Sequence, residues 1–169
     1  MKPLILQRDK DNKMENQQMA HTIRLTVKLP CSSSRAWKAI ADWESQGDWM
    51  LQTKVWVTSQ VREGVGTSIS AFTGPFYKSF PKFSKLGLLD TMVVTSWQPP
   101  VRCDVLHTGK IFKGVGAFEL VEISPNSTRF NWSEGIECSR AKFLAIYPFM
   151  WLGVRISLAR LKATLGRPE

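Results

Sequence analysis

The sequence predicts an α+β domain in which an antiparallel sheet of about seven strands curls around a long C-terminal helix. Three observations carry that expectation. Thr22 to Leu29 alternates apolar and polar without a break, and the stretch from Arg102 to Glu137 reads as three consecutive strands of the same kind. Helical spacing appears after the first strand and again, over a much longer span, near the C-terminus.

In chain order, residues 1 to 20 are polar and charged with no sustained period and read as an N-terminal arm. Met14 and Met19 are alternative starts within it. The first strand turns Ile23, Leu25, Val27 and Leu29 inward and Thr22, Arg24, Thr26 and Lys28 outward. Pro30 ends it, and Ser32 to Ser34 offer N-caps for a helix whose inner face is Ala36, Ala39, Ile40 and Trp43. A second short turn runs from Ser45 to Trp49. Strands are expected at 53–61 and 67–73, around a Gly64-Val65-Gly66 turn, then at 89–97, 102–109, 111–122 and 128–137. Ala141 to Leu165 reads as one long helix, kinked or interrupted at Pro148, with Val154, Leu158, Leu161 and Leu165 as its stripe. Residues 21–169 thus form a single domain.

Composition narrows the function classes. Of 169 residues, 43% are hydrophobic, enough for one domain with a real core. Cys31, Cys103 and Cys138 are odd in number and widely spaced, so neither a disulfide framework nor a metal site follows, and a reducing cytoplasm is the simplest setting. No cofactor motif is present. The longest uncharged run, Phe143 to Val154, falls short of the roughly 20 residues that span a bilayer. Leu4 to Leu6 is too short for the apolar part of a signal peptide. The net charge of +9 favours anionic partners such as lipid head groups, RNA or an acidic ligand, or else is simply a solvated surface.

The chemistry concentrates between Arg102 and Glu137. Strand parity turns Cys103, Val105 and His107 inward, then Phe112, Gly114, Gly116, Phe118 and Leu120, then Phe130, Trp132, Glu134 and Ile136. Bulky walls, two missing side chains and a carboxylate describe a cavity better than a close-packed core. The glycines also fit a sheet bend. Glu134 is expected to be desolvated and to hold its proton more tightly than an ordinary glutamate. That suits an acid/base, a hydrogen bond to a ligand, or a structural tie to a neighbour. If the turn at Thr108 to Ile111 pairs His107 with Phe112, Glu134 lies four to six residues further along the sheet. At about 3.3 Å per residue the gap is roughly 13–20 Å, so the two are expected not to touch.

Several strings resemble the START-like, or Bet v 1-like, superfamily (SRPBCC), and within it the polyketide cyclase/dehydratase-like branch. They are AWKAIADWESQGDWM (Ala36 to Met50), EGVGT (Glu63 to Thr67), LDTMVVTSWQPPVRCDVLHTGK (Leu89 to Lys110), GVGAFEL (Gly114 to Leu120) and TRFNWSEGIE (Thr128 to Glu137). The resemblance spans most of residues 22 to 165. It implies a helix-grip fold enclosing an apolar tunnel for a lipid, sterol, polyketide, quinone or hormone, with cyclisation or dehydration in some members. Fold alone does not choose among these.

The interior is accordingly expected to be lined by Phe72, Trp97, Cys103, Val105, His107, Phe112, Gly114, Gly116, Phe118, Phe130, Trp132, Glu134 and Phe149. The connection from Gly74 to Leu88 interleaves Phe76, Tyr77, Phe80 and Phe83 with Lys78, Lys82 and Lys85. That pattern fits a lid over the tunnel mouth, an interfacial contact with anionic membrane, or, as a weaker alternative, RNA stacking. The leading expectation is a binder of a hydrophobic small molecule, carrying it to or from a membrane as one use. The rivals are a cyclase/dehydratase with Glu134 as acid/base, and a basic surface module. The sequence carries no signal for oligomeric state.

Overall fold

A computed structural model describes residues 20–75, 86–109 and 112–167. The seven strands are β1 (Ala20–Leu29), β2 (Thr53–Val57), β3 (Ser68–Thr73), β4 (Leu88–Gln98), β5 (Arg102–His107), β6 (Gly114–Ser124) and β7 (Ser127–Glu137). They form one antiparallel sheet in the order β1-β7-β6-β5-β4-β3-β2. Helices α1 (Ser33–Ala41) and α2 (Gln46–Trp49) connect β1 to β2, and α3 (Arg140–Leu165) follows β7. This is the expected α+β arrangement, a curled sheet gripping its C-terminal helix.

Local chemistry sets these elements. Ser32 caps α1 by accepting from the Arg35 backbone N–H at 3.3 Å, and Ala36, Trp37 and Ile40 become its buried face. Pro148 sits inside α3 without ending it, so the expected interruption is not an interruption of the helix. The strand expected over 53–61 stops at Val57; just beyond it Ser59 accepts from the Ser68 backbone N–H at 2.8 Å and donates to the Val61 carbonyl, so its side chain takes the place of a ladder partner. Gly64 and Gly66, both at positive φ, then turn the chain into β3.

The inner face of the sheet serves two purposes. At one end it is solid core. Leu29, Cys103, Leu120 and Phe130 are buried there with Leu158, Leu161 and Leu165 from the second half of α3. Trp97 stacks edge-on against Trp37, 4.9 Å between centroids, and Phe118 meets Phe130 at 5.7 Å. At the other end sheet and helix separate. A serine relay ties the helix there: the Leu51 N–H donates to Ser157 Oγ at 2.9 Å, and Ser157 donates to the Gly153 carbonyl at 2.7 Å.

Candidate functional site

Between the separated parts lies a cavity of about 350 Å³. Its floor is the sheet: Val55, Ala71, Met92, Val105, Gly116, Phe118 and Trp132. Its roof is the middle of α3, through Phe149, Met150, Gly153 and Val154, and Trp43, Gln46 and Met50 close one end. The walls are mostly apolar, and the volume falls within the range that encloses drug-sized molecules.

One wall carries three titratable side chains in contact. His107 on β5 reaches Asp90 Oδ2 on β4 through Nδ1 at 2.7 Å, and its Nε2 lies directly against Glu134 Oε1 on β7. This corrects the expectation that His107 and Glu134 stand far apart. The loop after β5 is longer than a tight turn, so His107 pairs with Gly114 rather than Phe112, and Glu134 pairs with Gly116. The offset is therefore two residues. Strand β6 runs between the two side chains, yet at Gly116 it has nothing to put there. A Cβ on Gly116 would come within 3.1 Å of Glu134 Oε2 and 3.4 Å of His107 Nε2. The glycine is what lets a β5 side chain touch a β7 side chain.

Comparison with known proteins gives fold without activity. No family profile and no curated protein matches the chain. Among solved structures, a START superfamily protein from Mycobacterium smegmatis aligns with a TM-score of 0.67 at 13% identity, over 86% of this chain and 99% of that one. The chain has a START-like fold. A protein from Chromobacterium violaceum (TM-score 0.65, 16% identity, 87% and 99% covered) and an Aha1 dimer from Colwellia psychrerythraea (0.61, 15%, 86% and 96%) share it. At these identities the likeness is one of architecture, and the chemistry has to be read from this chain's own residues.

In this cavity the cluster is buried: His107 and Glu134 are each 8% exposed. Burial works against a charged imidazole, but the hydrogen bonds and charges of Asp90 and Glu134 outweigh it and raise His107 to about 10. At neutral pH both ring nitrogens therefore carry protons and donate, one to each carboxylate. The cluster then has one carboxylate more than it has cation. Burial accordingly raises Glu134 above the usual glutamate value, His107 partly offsets this, and Asp90 adds to it. Both shifts say the same thing: the folded cluster holds protons that the unfolded chain would release. The raised value of His107 contributes stability that is complete below the unfolded histidine value of about 6.5 and disappears as pH climbs through about 10. We expect Tm to fall by roughly 5–10 °C across that window. The fall should be distinctly shallower in His107→Gln, measured by calorimetry in matched buffers. Equal slopes in the two proteins would contradict the assignment.

The cavity incorporates some of the sequence candidates and not others. Val105, His107, Phe112, Gly116, Phe118, Trp132, Glu134 and Phe149 line the cavity. Phe72 does not, because parity along β3 turns Ala71 and Thr73 inward and leaves the Phe72 ring over Gly87. Trp97, Cys103 and Phe130 point inward but belong to the solid end of the sheet. Burial, aided by Asp104, pushes the Cys103 thiol up to about 12, so it is no nucleophile at neutral pH. Gly114 also lies outside the cavity. It sits at φ +141° where a Cβ would fall 1.8 Å from the Gly135 carbonyl oxygen, so its role is the close approach of β6 to β7. Phe76, Tyr77, Lys78, Phe80, Lys82, Phe83 and Lys85 lie outside the described residues, as does the arm before Ala20.

Asp90 is the residue that sequence reasoning missed. Its signal was present: Leu88, Asp90, Met92 and Val94 alternate on the inner face of β4, so the carboxylate shares a parity with three apolar neighbours. Among the described residues, no group of three His, Cys, Asp or Glu side chains is arranged to hold a metal ion.

Proposed function

We propose that the protein binds a hydrophobic small molecule in this cavity, with Glu134 hydrogen-bonding the polar end of the ligand. The observation that supports this reading is an apolar enclosure with one buried polar cluster on its wall. Affinity comes from apolar burial, about 25 cal/mol per Å². Direction comes from Glu134: both nitrogens of His107 are engaged by carboxylates, and among the described residues Glu134 Oε2, beside Gly116, takes no hydrogen bond, whereas the other unpartnered oxygen of the cluster, Asp90 Oδ1, is fully buried. A lipid, a polyketide or a quinone-like molecule with a carbonyl or hydroxyl head fits that description. A panel of such compounds tests it by thermal shift. A ligand at one hundred times its Kd stabilises by about 2.7 kcal/mol, readable as several degrees in Tm. No shift from any class would count against the proposal.

The cluster itself favours a second reading, in which Glu134 transfers a proton to or from the bound molecule and His107 and Asp90 position and buffer it. Glu134→Gln separates the two. Under the binding reading it changes affinity, by about tenfold for one hydrogen bond to a charged or polar head. Under the catalytic reading, affinity is nearly kept and turnover falls by about a hundredfold or more. Product formation is followed by mass spectrometry on whichever compound shifts Tm.

A further inference from the structure

The first half of α3 is apolar on both of its sides, and among the described residues only one side is covered. Phe143, Ile146 and Met150 face the sheet. On the opposite side Leu144 is 61% exposed, Phe149 79% and Leu152 51%, and Pro148 lies exposed between them. Leu144, Pro148 and Leu152 recur at the four-residue spacing of one helix face, with Phe149 at its border, and from Phe143 to Val154 the helix has no charged residue. By length and composition α3 would even pass for a membrane-crossing helix, yet its second half is locked into the core through Leu158, Leu161 and Leu165. An exposed apolar strip of this kind on a soluble domain marks an interaction surface.

The charges around the strip indicate what covers it. Arg140 and Lys142 precede it, Arg155 and Arg160 follow it, and α3 contains no acidic residue at all. Two copies packed through this face would bring cations against cations, which disfavours a self-complementary dimer. An anionic surface with an apolar interior satisfies both parts at once. Trp151, under the Arg155 guanidinium at 5.2 Å, and half-exposed Tyr147 add the amphipathic rings that settle at a head-group boundary. Phe149 and Gly153 belong to this helix and also line the cavity, so the strip adjoins the place where a ligand would sit.

We infer that α3 docks the protein onto anionic lipid bilayers, lying in the interfacial plane with Leu144, Pro148, Phe149 and Leu152 among the acyl chains. The contact is peripheral, because the other side of the same helix is committed to the sheet. It explains why a helix that holds the domain together keeps an oily outer face. It also gives an apolar ligand a route between cavity and bilayer that need not cross water. Docking stands on the exposed strip alone and survives if the cavity proves empty.

The test uses the full chain with Cys138→Ser, which leaves Cys31 and Cys103 buried, plus Leu152→Cys carrying a polarity-sensitive fluorophore. Vesicles of phosphatidylcholine, with and without phosphatidylglycerol, are titrated in. The expected result is a blue shift with anionic vesicles, quenching by lipid-borne nitroxides, and weakening as salt rises. Co-sedimentation of the unlabelled pair Leu144→Glu/Leu152→Glu should fall at least about tenfold against wild type, with Tm unchanged because both positions are exposed and neither lines the cavity. Absence of a shift, equal binding by the glutamate pair, or a concentration-dependent dimer that buries position 152 would each overturn the inference.

Discussion

His107→Leu should cost about 3–5 kcal/mol, roughly 10 °C in Tm, despite removing a polar side chain from an apolar wall. The reason lies in what it leaves behind. Asp90 and Glu134 each lose their donor on a largely buried wall, and Asp90 Oδ1 is already buried without a hydrogen-bond partner among the described residues. Unpaired buried carboxylates must take up protons or pay for desolvation. The loss should therefore be partly reversed by neutralising the partners. The triple change Asp90→Asn/His107→Leu/Glu134→Gln is expected to be markedly more stable than His107→Leu alone, the non-additive signature of one coupled cluster. Calorimetry at pH 7 decides it. A single-variant loss below about 1 kcal/mol, or simple additivity, would mean the three groups are not a unit.

Gly114→Ala is expected to be the most damaging glycine-to-alanine change among the described residues, costing more than about 3 kcal/mol. The added Cβ would meet the Gly135 carbonyl oxygen at 1.8 Å, and the atom in the way is backbone, so no side chain can swing aside. The φ of +141° adds strain independent of space. Gly153→Ala is the internal control. Nothing lies within 4 Å of its Cβ, and a glycine inside α3 weakens the helix, so alanine there should raise stability by up to about 1 kcal/mol. If the two variants melted alike, β6 and β7 would not approach each other as described.

The architecture was legible because alternation is a local signal. β1 and β7 carry unbroken inward series, Ile23 to Leu29 and Phe130 to Ile136, and each lands where parity puts it. Register is a different kind of information. It depends on the length of the turn between strands, and a shift of two residues after β5 is enough to separate His107 from Glu134. The contact also needs the absence of a side chain at Gly116, which is a three-strand property invisible along any one of them. Parity does not tell a cavity wall from solid core either. Cys103 and Val105 share a face, yet the first is packed under the helices and the second borders empty space. That division depends on where α3 leaves the sheet, which only the assembled fold determines. Phe72 illustrates the opposite failure, a bulky apolar residue counted inward when its own strand's parity turns it out.

The most direct test of the central claim is native mass spectrometry, followed by organic extraction, on protein purified from its own host. It should be run beside Ala71→Phe, which replaces a small wall residue with one large enough to occupy the cavity. We expect an apolar molecule retained by the wild-type chain and lost from Ala71→Phe. A wild-type chain that comes away empty, or a molecule retained equally by both proteins, would contradict the claim that this cavity is a binding site.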